Sequence, residues 1–292
     1  MFWQLKSHSG TLHSLSRPWV MGIVNVTPDS FAVHCTDLSE KTVLSVVDRQ
    51  LREGADILDI GGYSTRPDGG WVSEAEEWSR LEPALRVIRS SYPEVLLSVD
   101  TWRSSIAERA VSEYGVDIVN DVSGGEWDKE MFGTMARLKA AYVLTHNRWQ
   151  SPATHEISAS GNDIVSEVLH FFETRLYELG RMGVSDVILD PGFGFGKRAG
   201  NSGQDADGVK DENYALLKEL SVFQTLHCPI LAGLSRKSML YKPLHTTPSK
   251  ALNATTAANM IALIKKASLL RVHDVRQAKE VVTIYQSVYA TT

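Results

Sequence analysis

Short apolar runs alternate with longer amphipathic stretches along almost the whole chain. The runs fall at 20–26, 56–60, 95–99, 117–120, 141–145, 186–189, 229–232 and 268–272. They are bounded by Gly, Pro or Asp and are apolar almost throughout, the pattern of parallel strands covered on both faces. Between them, segments 39–53, 74–91, 103–114, 129–139, 163–182, 212–225, 248–266 and 274–289 carry apolar residues three and four apart, which predicts helices. Eight strand–helix repeats predict an α/β chain folded as a (β/α)8 TIM barrel in a single domain. An open doubly wound sheet is the weaker alternative, since it serves fewer strands. Residues 1–18 are polar and aromatic and end in Arg17-Pro18, so a short N-terminal hairpin or lid is expected at the barrel base, with the barrel over 19–292. The stretch from Arg198 to Gly208 has loop composition and reads as a mobile surface insertion after the sixth strand.

Composition narrows the class. With 43% hydrophobic and 22% charged residues, disordered and collagen-like chains are excluded. The formal net charge is −5 and no block of five like charges occurs, which argues against nucleic acid as a partner. Cys35 and Cys228 are too few and too far apart in sequence for a disulfide framework or a cysteine metal knuckle. The first residues lack the layout of a signal peptide, and no apolar run reaches the 18 or so residues of a membrane span. A soluble cytoplasmic protein with no membrane partner is the expectation.

In a barrel of this kind the chemistry gathers where strands end on the carboxyl face. Every predicted strand delivers a polar group there: Asn25; Asp59 with the following Ser64-Thr65-Arg66-Pro67; Asp100; Asn120-Asp121; His146-Asn147; Asp190; Ser235-Arg236-Lys237-Ser238; and Arg271 with His273-Asp274. Helix N-capping is the expected role of Asp29, Asp121 and Asp274. Asp100 and Asp190 end strongly apolar strands, where a buried charge needs a partner or a ligand. With Asn120 they make an acceptor-rich group suited to a flat heterocycle presenting several N–H donors. Arg236, Lys237, Arg271 and His273, with Arg66 able to join them, read as a cluster that attracts an anion such as phosphate.

Other signals are weak. The segment Gly192-Phe193-Gly194-Phe195-Gly196-Lys197 resembles a phosphate loop, but Pro191 stands where the first glycine belongs and Arg198 replaces Ser or Thr. His146 and His273 stand singly, which argues against a metal hydrolase, and His146 fits a structural role as well as a catalytic one. Lys237 follows Arg236 in a polar turn, a poor setting for a Schiff-base lysine, so an aldolase is a minor alternative.

Taken together, Met21-Gly22-Ile23-Val24-Asn25-Val26-Thr27-Pro28-Asp29-Ser30-Phe31, Asp59-Ile60-Gly61-Gly62, Ser64-Thr65-Arg66-Pro67 and Ser98-Val99-Asp100-Thr101 resemble the signature segments of the dihydropteroate synthase family. Asn120-Asp121, Asp190-Pro191-Gly192-Phe193-Gly194-Phe195-Gly196-Lys197, Ser235-Arg236-Lys237-Ser238 and Arg271-Val272-His273-Asp274-Val275 complete the series in the family's order. The resemblance implies a pterin-binding TIM barrel that transfers a pterin methylene from a diphosphate to para-aminobenzoate, giving 7,8-dihydropteroate and pyrophosphate in folate biosynthesis. It assigns the pterin to Asp100, Asn120, Asp190 and Lys237, and the diphosphate to Asn25, Arg66, Arg271 and His273. It assigns the aminobenzoate to Thr65, Pro67, Phe195 and Ser238, places Mg²⁺ at Asn25, and gives catalytic weight to Asp100, Lys237 and Asn25. A homodimer inhibited by sulfonamides is also implied.

The chain departs from the family at a few places. The first loop commonly continues Ser-Phe-Ser-Asp-Gly-Gly; here it reads Ser30-Phe31-Ala32-Val33-His34, with Val33 at the acidic position. The fifth strand often ends Met-His-Met, whereas here it ends Thr145-His146-Asn147, which alters one wall of the pterin pocket. The loop after Lys197 is long, and Tyr63 and Tyr241 stand where Glu and Gly are frequent. The alternative to an active synthase is therefore a pterin-binding paralogue with little or no synthase activity. Methyl transfer from a reduced folate ranks last, because it leaves Ser235-Arg236-Lys237-Ser238 and Arg271-Val272-His273 unexplained.

Overall fold

The computed structural model of the chain describes residues 3–27, 40–63, 72–151, 163–196 and 211–289. A two-stranded antiparallel hairpin, β1 (Gln4–Lys6) and β2 (Leu12–Ser14), precedes eight parallel strands. These are β3 (Trp19–Asn25), β4 (Ile57–Gly61), β5 (Leu96–Asp100), β6 (Ile118–Asp121), β7 (Ala141–Thr145), β8 (Val187–Asp190), β9 (Leu231–Ala232) and β10 (Leu269–Val272). Their order is β8-β7-β6-β5-β4-β3-β10-β9, and a parallel bridge between Leu189 and Ile230 joins β8 to the segment entering β9. The sheet closes on itself as the predicted TIM barrel.

The described helices are α1 (Glu40–Arg52), α2 (Glu74–Ser91), α3 (Ser104–Tyr114), α4 (Met131–Leu138), α5 (Ile164–Arg181), α6 (Glu212–Lys218), α7 (Ser238–Tyr241), α8 (Leu252–Ile264) and α9 (Val275–Tyr289). Two differ from the sequence expectation. The segment 212–225 does not form one helix: α6 stops at Lys218 and Leu220–Leu226 continues as a 3₁₀ helix. Its buried residues, Leu220 and Phe223, lie three apart, the spacing a 3₁₀ helix stacks on one side. Pro248 starts a single 3₁₀ turn, and α8 begins only at Leu252.

Alternation along the strands separates two apolar layers. Val20, Val24, Leu58, Ile60, Leu97, Val99, Val119, Tyr142, Leu144, Val187 and Leu189 point outward and pack under the helices. Trp19, Met21, Ile57, Leu96, Ile118, Ala141, Val143, Ile188, Leu231 and Leu269 fill the lower barrel. The hairpin seals this end: buried Leu5 joins the inner layer, Trp3 and Leu15 pack against it, and Trp3 meets Trp19 edge to face at 6.2 Å. Asp117 latches the hairpin by accepting His8 N at 2.7 Å, while its other oxygen accepts Leu97 N at 2.8 Å. One inward step higher the lining turns polar, and that change of polarity places the site.

Candidate active site

Asp59 is fully buried in the middle of β4. It accepts Ser98 Oγ at 2.6 Å, Asn120 Nδ2 at 3.1 Å and Arg271 Nε at 2.6 Å. Arg271 also donates through a terminal N–H to Asp100 Oδ2 at 2.5 Å. One guanidinium thus spans two carboxylates. Burial by itself would lower the Arg271 pKa, but Asp59 and Asp100 outweigh it and hold the group charged. Burial lifts the Asp100 pKa to about 7, against the opposing pull of Arg271. Removing one member of such a buried ion pair costs about 3–5 kcal/mol, because the remaining charge stays desolvated.

Gly61 separates Asn25 and Asp100 at the strand ends, where Asn25, Gly61 and Asp100 are in register. A Cβ at Gly61 would stand 3.3 Å from Asn25 Oδ1 and 3.5 Å from the Asp100 Cβ, so a larger residue would crowd both. Across the mouth, Asp190 ends β8 and accepts Gly192 N at 2.8 Å. Lys237 feels the charge of both acidic groups: its ammonium donates to Phe193 O and sits 4.2 Å from the centre of the Phe195 ring. Burial lowers the Lys237 pKa to about 8, while Asp190 and Asp100 work to raise it.

The structure therefore gathers Asn25, Asp100, Asn120, Asp190, Phe195, Lys237 and Arg271 at one end of the barrel, as the sequence predicts. Ser238 opens α7 directly after Lys237. His273 pairs its Nδ1 with Ser235 Oγ at 2.9 Å. Thr65, Arg66 and Pro67 lie outside the described residues, as do Asp29, Val33, Cys35 and the insertion from Arg198 to Gly208.

Several assignments change. Arg236 does not join the anion cluster: it is turned to Asp274, with contacts of 3.1 and 2.7 Å, and its backbone takes the left-handed conformation at φ 57°. Asp274, which directly precedes α9 as a cap residue would, is its salt-bridge partner. Asp121 caps a turn instead of a helix, accepting Ser123 N, Gly125 N and the Tyr142 hydroxyl, while α4 starts only at Met131. His146, which fits a structural role as well as a catalytic one, lies 3.2 Å from Glu167 and edge-on to Phe171. Arg271, assigned to the diphosphate, also pairs with Asp59 and Asp100.

Other residues shape the site without any sequence signal of their own. Asn213 Oδ1 accepts Gly194 N at 2.7 Å, and the adjacent Tyr214 hydroxyl donates to Met239 O at 2.5 Å. The start of α6 thereby fixes both the turn carrying Phe195 and the turn carrying Lys237. Gly194 has φ +83°, and a Cβ there would press on the Lys237 stem at 3.3 Å. Buried Arg148 grips Glu167 with two N–H groups at 2.7 and 2.6 Å and Glu212 with a third at 2.8 Å, tying α5 to α6. Arg80 donates to Gly62 O at 3.0 Å and Arg103 to Val72 O at 2.6 Å. Glu77 holds Arg103 and accepts Thr101 Oγ1 at 2.7 Å, linking these anchor points to the strand end beside Asp100.

Comparison with known proteins adds to this geometry. The family described as pterin binding enzyme matches residues 21–273. The dihydropteroate synthase of Haemophilus influenzae is 34% identical over 275 residues, covering 94% of both chains. The folic acid synthesis protein fol1 of Pneumocystis carinii is 34% identical over 281 residues, and this chain matches only 36% of its length. Among solved structures, the dihydropteroate synthase of Xanthomonas albilineans with 4-aminobenzoic acid superposes with a TM-score of 0.85 at 33% identity, covering 100% of each chain.

Proposed function

The chain belongs to the family of pterin binding enzymes, and from that premise we propose that it is a transferase that joins 6-hydroxymethyl-7,8-dihydropterin diphosphate to para-aminobenzoate, giving 7,8-dihydropteroate and pyrophosphate. The observation that carries the reading is the convergence of Asp100, Asp190 and Lys237 around one barrel mouth, with Arg271 bridging into the same group. Two carboxylates and the Asn120 amide suit the N–H-bearing edge of a pterin. The cationic Arg271 and Lys237 suit a ligand whose other end is an anion.

The reaction breaks a C–O bond to diphosphate and forms a C–N bond to the aromatic amine. As diphosphate leaves, positive charge spreads over the pterin, and Asp100 and Asp190 stabilise it. Arg271 and His273 face the departing negative charge. Lys237, held over Phe195, stands at the junction of the ring and the incoming amine. The amine attacks through its lone pair and sheds its proton afterwards, so fixed electrostatics matter more than a strong general base. Aminobenzoate lies against Phe195, with its carboxylate towards Ser238, and a sulfonamide competes for the same place.

Mg²⁺ fits the site in a limited way. Among the described residues no group of three or more His, Cys, Asp or Glu side chains could hold a metal. Asn25 Oδ1 offers one neutral oxygen beside Gly61. Mg²⁺ commonly takes most of its oxygens from water and substrate phosphates, and Asn25 would complete such a set. Bound there, the ion offsets the charge of the leaving diphosphate.

No described helix is long and apolar enough to cross a membrane. The deciding experiment measures pyrophosphate release from the dihydropterin diphosphate with Mg²⁺, with and without aminobenzoate. Release that needs aminobenzoate, yields dihydropteroate and stops on chelation is the expected result. Calorimetric pterin binding without release would instead identify the inactive pterin-binding paralogue.

A further inference from the structure

We propose that the Thr145 hydroxyl is an additional ring-binding group, donating to a ring nitrogen of the pterin and helping to select heterocycles that carry an acceptor there. The inference rests on the pterin reading above. Thr145 ends β7. Along that strand Tyr142 and Leu144 belong to the outer apolar layer, and Ala141 and Val143 to the inner one, so alternation turns Thr145 into the barrel. Its register partner on β8 is Asp190, and on its other side Asn120 of β6 is in register with Val143, one inward step below. Thr145 therefore stands on the wall between two of the pterin-binding candidates.

Thr145 is 1% exposed, and its Oγ1 has no hydrogen-bond partner among the described residues. A buried hydroxyl left unpaired opposes folding, and a ligand that pairs it recovers what folding lost. The chemistry of the pocket says what is missing. Asp100 and Asp190 accept, and Asn120 already directs an N–H to Asp59. Lys237 donates to Phe193 O, and Arg271 donates to Asp59 and Asp100. A fused heterocycle presents ring-nitrogen acceptors as well as N–H donors, and a neutral O–H set among carboxylates meets the acceptors. The methionine frequent at this position in the family has no O–H to donate, so the contact is particular to this chain.

The test uses the full chain and 6-hydroxymethyl-7,8-dihydropterin as the calorimetric probe. Thr145→Val keeps the shape and deletes the hydroxyl; Thr145→Ser keeps the hydroxyl. Val should bind about tenfold more weakly, and Ser within about twofold of the parent, as expected for loss of one hydrogen bond. The thermal midpoint of Val without ligand should equal or exceed that of the parent, a combination that a purely structural role would not give. Should Val fail to fold, the pair Thr145→Ala and Thr145→Ser isolates the same hydroxyl. Equal or tighter binding by the hydroxyl-free variant overturns the proposal. Failure of the folded parent protein to bind the probe overturns the pterin reading instead, and this inference with it.

Discussion

Asp100 and Lys237 set the pH window at the scale of single residues. The carboxylate must be ionised to accept N–H donors, and its pKa stands at about 7, so kcat/KM should fall as pH drops through that region. The ammonium must keep its proton, and its pKa is about 8, so kcat/KM should fall again on the alkaline side. A pH series on the parent protein should give a narrow bell. Lys237→Arg should move the alkaline limb upward with whatever activity remains, because a guanidinium does not deprotonate there. Lys237→Ala should lose nearly all turnover while melting as a folded protein; parental rates in that variant would remove Lys237 from the site. Asp100 was legible because it ends an apolar strand with a polar side chain, Lys237 because it stands in the polar turn after one, and the motif order adds to that. Asp59 was visible on its strand but its task was not. That task depends on Arg271, 212 positions away in sequence, which only the closed barrel brings within 2.6 Å. Arg236 shows the converse: it lies beside Lys237 in sequence, yet a left-handed backbone turn directs it to Asp274.

Among elements, α6 does more for the site than its seven residues suggest. Asn213 and Tyr214 hold the turns that carry Phe195 and Lys237, so α6 acts as a strut between β8 and β9. Asn213→Ala leaves Gly194 N without its acceptor and should cost about 1–3 kcal/mol of stability. Chemical denaturation would measure that loss. The same variant should raise the KM for aminobenzoate more than the KM for the dihydropterin diphosphate, since Phe195 loses its support while Asp100 and Asn120 do not. Equal changes in both would place the effect in general stability. The strands and most helices were readable because burial on both faces leaves a nearly continuous apolar signature, and α2 has the bounds expected of it. The break after Lys218 was not readable: a register of buried residues three apart over two turns is too short to stand out from a helical one.

At the scale of the whole molecule, α8 and α9 pack side by side and leave Ile261, Ile264, Ile284 and Val288 well exposed. Apolar side chains exposed together on two neighbouring helices are the expected contact of the homodimer that the family resemblance implies. Sedimentation of the parent protein should give a dimer, and Ile284→Glu a monomer; a monomeric parent would refute the assignment. The barrel itself has a further consequence. Its lower half is filled by side chains and stopped by Leu5 of the hairpin, while the described groups assigned to the reactants lie at the upper end. Among the described residues the barrel therefore leaves one doorway for traffic. Two reactants enter and two products leave by the same opening, so the sequence of arrivals and departures becomes part of the catalytic cycle, and a slow departure would hold up the next arrival.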